Sequence, residues 1–301
     1  MNPIMRSTSL RKSALSLLLG LPMFAMTSAG CEPPPAVNPD EATAPAAGDA
    51  TAAADTTPAA EPVAETPTES AEPQVDQGNL PTAEALFAAN VEAVGGQDKI
   101  DTIKTFYRED VMEIPSQKIK ITNKMWWKDG DFYAEADMPG MGVTKIWKVG
   151  EDLWSQDPIN GMRKIEGKEL EQQLRSNELV VTANWKEHFA TAEVKGRRMI
   201  DDAPVIDVVL TTEGGDEVTM SFDEESKLII EQAFMQDSPQ GKIPMKSINE
   251  EYKDFDGFKV PVKSTVDMTV AKIVGTVVTF EPNAKIEKGK IKLPPEAKAK
   301  K

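Results

Sequence analysis

The 301-residue chain carries a net charge of −15, with a single histidine and a single cysteine. That balance argues against a nucleic-acid surface and against electrostatic docking on anionic lipid, both of which need a basic face. One cysteine leaves no partner for a disulfide, and one histidine beside it is too few ligands for a structural zinc site.

In chain order, Arg6, Arg11 and Lys12 form a basic segment ahead of Leu15 to Met26, an apolar run short for a bilayer span. Small residues follow, in Ser28-Ala29-Gly30-Cys31. A signal peptidase needs small side chains there, and a diacylglyceryl transferase needs a thiol directly after them. The stretch resembles a bacterial lipobox, with Ser28 where leucine is commonest. It predicts a signal peptide over residues 1–30 and lipidation of Cys31, with palmitate-type acyl chains anchoring the protein. An ordinary secretory signal leaving a free thiol is the alternative.

Residues 32–80 hold ten carboxylates and no Lys or Arg, among Ala, Pro and Thr. The apolar surface is too small to offset the entropy of ordering it. Residues 31–80 are therefore expected to be a disordered acidic tether, reaching roughly 40 Å as a flexible coil.

Residues 81–287 read as one domain. Pro81 to Val94 places Ala83, Leu86, Phe87, Ala89, Val91 and Val94 on one helical face, and Gly95-Gly96 ends it. Gln97 to Ile103 adds a short helical turn. Alternation then begins at Thr105, with Phe106, Met112 and Ile114 on one parity and Tyr107 and Val111 competing for the other. Strand patterns follow in Ile119 to Trp127, Phe132 to Met138 and Val143 to Val149. Turns such as Lys128-Asp129-Gly130-Asp131 separate them. Gly167 to Val180 reads as one amphipathic helix. Strands resume after Ala190, through Val205 to Thr211, Val218 to Phe222, Leu228 to Met235, Ile243 to Tyr252, Val260 to Val270 and Ile273 to Phe280. Residues 288–301 form a basic tail, read as a frayed end.

About ten short strands with few helices predict an α+β domain. Its centre is a large curled antiparallel sheet, an incomplete barrel, with one N-terminal helix and one or two helices covering the opening. The landmarks resemble one family. They are Asp137-Met-Pro-Gly-Met-Gly142, Trp154, Gly161-Met-Arg163, Asn184-Trp185, Ser238-Pro-Gln-Gly-Lys-Ile-Pro244 and Asp256-Gly-Phe-Lys-Val-Pro261. With the helix, the double glycine and the meander, they resemble the LolA-like fold of bacterial lipoprotein carriers. In particular they resemble proteins similar to outer-membrane lipoprotein-sorting proteins. The resemblance implies a cavity that holds acyl chains. Family carriers are soluble and periplasmic, whereas a lipidated and tethered chain fits a receiver, sensor or lipid-binding accessory better.

Catalytic and metal signals are weak. His188 stands without a nucleophile elbow and reads as an incidental surface or loop residue. Glu224-Glu225 and Glu250-Glu251 lack a calcium-loop pattern, and Glu169 and Glu171 read as a solvated helix face. No Gly-rich phosphate loop is present, so no cofactor, metal or catalytic residue is expected. Ten of the fourteen methionines fall in the domain. Their flexible side chains suit either a lipid cavity or an irregular core. Trp126 and Trp127 cannot both face inward on one strand.

From parity, the cavity lining is expected to include Ile119, Ile121, Met125, Phe132, Met138, Met220, Val266 and Met268. The expected protein is a non-catalytic monomer in the cell envelope, lipid-anchored at the outer membrane and facing the periplasm. Its partners are the membrane through the anchor and an apolar ligand or another lipoprotein, and not nucleic acid. The alternative is a protein-interaction or sensor module with a closed core.

Overall fold

A computed structural model describes residues 77–238, 241–268 and 271–299; the signal segment, Cys31 and nearly all of the acidic stretch lie outside them. The first helix, α1 (Ala83–Val94), begins where Thr82 caps it, its Oγ1 accepting from the Ala85 N–H at 3.2 Å. It stops at Gly95, whose φ of 137° no side-chain-bearing residue adopts readily. A short α2 (Gln97–Thr102) follows. Buried positions on α1 are Ala83, Leu86, Phe87, Val91 and Val94, joined by Asn90 in place of the expected Ala89.

The first group of strands is β1 (Thr105–Ile114), β2 (Ile119–Lys128), β3 (Asp131–Met138), β4 (Gly142–Val149), β5 (Asp152–Asp157) and β6 (Gly161–Ile165). After α3 (Gly167–Ser176) come β7 (Thr191–Ile200), β8 (Ala203–Thr211), β9 (Glu217–Asp223) and β10 (Ile229–Ser238). The chain finishes with β11 (Gly241–Phe255), β12 (Phe258–Asp267), β13 (Lys272–Pro282) and α4 (Pro295–Ala299). All thirteen strands form one antiparallel sheet in the order β6-β5-β4-β3-β2-β1-β13-β12-β11-β10-β9-β8-β7. The expected architecture is therefore present: a large antiparallel sheet that stays unclosed, with few helices.

This order has a consequence for the opening. Two meanders are joined where the first strand pairs with the last, Arg108 opposite Phe280 and Met112 opposite Gly275. β6 and β7, consecutive in sequence, are consequently the two opposite edges of the sheet. The connection between them must travel from one edge to the other, and it does so through α3 and residues 177–190. That segment does not continue the helix, which ends at Ser176 rather than Val180. Leu179, Val180 and Val181 pack instead into the core beside α1.

The face carrying α1 and residues 177–190 is the inner face. Strict alternation defines it on β1 and β12, where every second residue is buried. Three apolar clusters cover it. One combines Val91, Val94, Leu179 and Val180 with Phe106, Trp127, Phe258 and Val260. A second combines Leu86, Phe87, Val181 and Phe189 with Ile206, Val208, Met220 and Phe222. The third holds Met112, Ile114, Ile121, Met138, Met245, Val266 and Ile273.

The outer face carries a ladder of rings in cross-strand register, Tyr107, Trp126, Tyr133, Trp147 and Trp154, running from β1 to β5. Neighbouring centroids along the first four rings lie 5.3–5.6 Å apart. The C-terminal segment covers it. Lys290 Nζ sits 3.6 Å above the Trp126 ring centroid, and Ala297 is fully buried against Tyr133, Trp147 and Trp154. The basic tail from residue 288, read as a frayed end, is thus a packed strap through residue 297. Trp127 lies on the opposite face, stacked on Phe106 at 5.3 Å.

Candidate ligand site on the inner face

The crossing segment is held by polar contacts at both ends. On one side, Gln172 of α3 acts like a missing strand: its Nε2 donates to the Met235 carbonyl at 2.9 Å. Its Oε1 accepts from the Asp237 N–H at 2.9 Å and from Gln236 Nε2 at 2.8 Å. On the other, Thr182 Oγ1 donates to Asn90 Oδ1 at 2.8 Å, and Asn90 Nδ2 donates to the Lys227 carbonyl at 2.8 Å. Asn90 is 2% exposed and both ends of its amide are satisfied, which is why a polar residue is tolerated on the apolar face of α1.

Two clefts flank Val181. The first, about 50 Å³, lies between α1 and β10–β12, lined by Asn90, Leu179, Gln232, Tyr252 and Phe258 among others. The second, about 30 Å³, lies beneath α3, lined by Arg175, Phe189, Met220, Gln232 and Phe234 among others. A water needs ~10–15 Å³ by this measure, so each cleft holds a few waters, whereas pockets for organic ligands run to ~300–1,000 Å³. Neither cleft as it stands has the volume of an organic-ligand pocket.

The walls are not uniformly apolar. Tyr252 donates its hydroxyl to the Ile229 carbonyl at 2.7 Å, and burial pushes its pKa well above the usual range. Gln232 is 3% exposed and its Oε1 has no hydrogen-bond partner, nor has Ser247 Oγ directly opposite it on β11. Arg175 is 8% exposed, its guanidinium 5.7 Å from the centre of the Phe189 ring. Burial lowers its pKa, opposed by the charges of Glu171, Asp216 and Asp237.

A second polar inclusion lies on β1, where alternation calls for apolar residues. Arg108 and Asp110 are 5% and 4% exposed, with Arg108 Nε 2.5 Å from Asp110 Oδ1. Asn123 on β2 donates to the other carboxylate oxygen at 3.4 Å.

The eight residues expected from parity are spread over all three inner-face clusters. Ile119, Ile121, Met138, Val266 and Met268 meet in the third, with Ile119 and Met268 at its partly buried margin. Met125 and Phe132 belong to the first and Met220 to the second. Of the eight, Met220 lines a described cleft. Sequence reasoning missed Val181, Gln232 and Arg175. Val181 was placed just beyond a helix, and the two polar residues carry no signal of burial in their spacing. His188 is in a loop but largely buried, 3.7 Å from Glu178. Among the described residues no group of three or more His, Cys, Asp or Glu is arranged to hold a metal ion, and no helix is long and apolar enough to cross a membrane.

No family model matches the chain, and no curated protein matches it. Solved structures do. A DUF1329 family protein from Desulfovibrio piger superposes with a TM-score of 0.51 at 13% identity, over 70% of this chain and 97% of its own. A LolA superfamily protein from Nitrosomonas europaea superposes with a TM-score of 0.50 at 14% identity, over 71% of this chain and 99% of its own. At such identities the likeness concerns the fold, and the fold is LolA-like, as the sequence landmarks implied.

Proposed function

We propose that this LolA-like domain binds an apolar ligand, a lipid or the acyl chains of another lipoprotein, on its inner face. Binding is non-catalytic, at the bacterial cell envelope, with the domain tethered to the outer membrane through acylated Cys31. The observation that carries the reading is the construction of that face. Apolar residues of an unclosed sheet are capped by α1 and by residues 177–190, with a cleft on each side of Val181. Displacing this segment uncovers the apolar residues beneath it, and each methylene transferred to them from water contributes ~0.8 kcal/mol. The acyl-chain cavity implied by the family resemblance supports the same reading.

Native mass spectrometry of the full chain, purified from a bacterial envelope, tests it. A co-purifying lipid that is lost on Met220→Glu is the expected result. A folded chain free of lipid would instead favour the closed-core reading, a protein-docking or sensor module.

A further inference from the structure

The cleft beneath α3 contains a charge that makes no ion pair among the described residues. Arg175 lies in the last turn of α3, more than nine-tenths buried, and its guanidinium offers five N–H donors and stays ionised. Among the described residues none of those donors has an acceptor within hydrogen-bond or ion-pair distance; its contact is the Phe189 ring. The nearby carboxylates are engaged elsewhere or act only through space. Asp216 is held by Lys168 at 2.9 Å and Lys242 at 3.0 Å, Asp237 accepts from Gln172 at 3.3 Å, and Glu171, one turn earlier on the same side of α3, is exposed and makes no ion pair with Arg175. The Arg175 nitrogens are not sealed from solvent, so water is the acceptor at the mouth of the cleft, and an anionic group taking the place of that water gives the fork a charged acceptor.

The rest of the cleft indicates what that is. Val218, Met220 and Phe234 give it an apolar wall, and Gln232 contributes a buried acceptor, Oε1, with no donor. A donor fork lacking a protein acceptor, an acceptor lacking a donor and an apolar wall together match an amphiphile with an anionic oxygen headgroup.

We propose that Arg175 receives the anionic headgroup of the ligand, a carboxylate or phosphate on an alkyl chain, and that Gln232 accepts from a hydroxyl beside it. The inference rests on the apolar-ligand reading and narrows its ligand class. Fork geometry favours the planar, two-oxygen face of such a group, so Arg175 selects among lipids rather than supplying the bulk of the affinity.

Titration calorimetry of the full chain with dodecanoate, dodecanol and inorganic phosphate tests this, using the unmodified chain, Arg175→Gln and Arg175→Lys. Dodecanoate is expected to bind about tenfold or more tighter than dodecanol. Arg175→Gln should bring the dodecanoate-to-dodecanol affinity ratio to about one, whatever its effect on the affinity for each, and Arg175→Lys should keep part of the preference. Equal affinity for acid and alcohol, or a preference that survives Arg175→Gln, overturns the headgroup assignment and leaves apolar binding standing. Phosphate binding as tightly as dodecanoate overturns it too, in favour of a free-anion site. Binding of neither alkyl compound removes the apolar-ligand reading itself, and this assignment with it.

Discussion

Arg108 and Asp110 are charges placed inside an apolar face, and their removal should be asymmetric. Losing one partner leaves the other buried and unpaired, so Asp110→Ala should cost ~3–5 kcal/mol in denaturant unfolding. Replacing both, as Arg108→Met with Asp110→Leu, should be near neutral or stabilising, because no desolvated charge remains. A small cost for Asp110→Ala would contradict the burial described. The acid limb of stability has a different source. Hydrogen bonds from Lys168 and then Lys242 hold the Asp216 carboxyl below its usual value, and Lys263 and Thr265 do the same for Glu250. A depressed folded pKa contributes stability that is complete above the unfolded value of ~3.9 and is lost as pH falls through the folded one. Thermal unfolding should therefore show Tm dropping below about pH 4, and less steeply in Asp216→Asn. Periodicity gave no access to this scale. Alternation on β1 is correct at Phe106, Met112 and Ile114, but the same rule reads Arg108 and Asp110 as errors. Their burial depends on each other and on Asn123, one strand away.

Among the elements, α1 is fixed by its end. A Cβ built on Gly95 would stand 2.4 Å from the Gly257 carbonyl oxygen, in the turn between β11 and β12, and φ is positive there. Gly95→Ala should cost at least ~1–3 kcal/mol from backbone strain alone, measured by urea unfolding. The crossing segment is held more lightly. Thr182→Val removes one buried hydrogen bond and leaves Asn90 Oδ1 unpaired, at ~1–3 kcal/mol. Hydrogen exchange over residues 179–183 should quicken without global unfolding; unchanged exchange would mean that Thr182 does not hold the segment. The sequence located most of these elements because their side chains alternate or their turns carry Gly and Asp. β5 and β6 were passed over, being short and rich in polar residues. α3 was drawn too long because Leu170 and Leu174 stand one turn apart among polar residues and Leu179 was counted with them, although five residues on it leaves their face; Leu179 is buried all the same, as part of a loop under α1.

On the scale of the whole molecule, strand order and the strap depend on contacts between residues far apart in sequence. Alternation identifies faces but not neighbours, so the pairing of β1 with β13 and the route from β6 to β7 across the inner face were beyond local reasoning. The tail shows the same limit. Lys290, Ile291, Leu293 and Ala297 read as a basic end, yet they cover the ring ladder, whose partners lie over 130 residues upstream. Ending the chain after Glu287 should cost about 3 kcal/mol in lost apolar burial and shift tryptophan emission to the red as Trp126, Trp147 and Trp154 meet water. Unchanged emission would argue against the strap.

The inner face, the crossing segment and the clefts beside it together make one claim: an apolar chain enters by displacing residues 177–190. Hydrogen exchange on the full chain, with and without saturating dodecanoate, tests it most directly. Altered exchange confined to residues 177–190 and the inner-face strands they cover, with the ring ladder and strap unaffected, is the expected result. Binding that leaves those residues unchanged and instead protects or exposes the outer face would contradict the account.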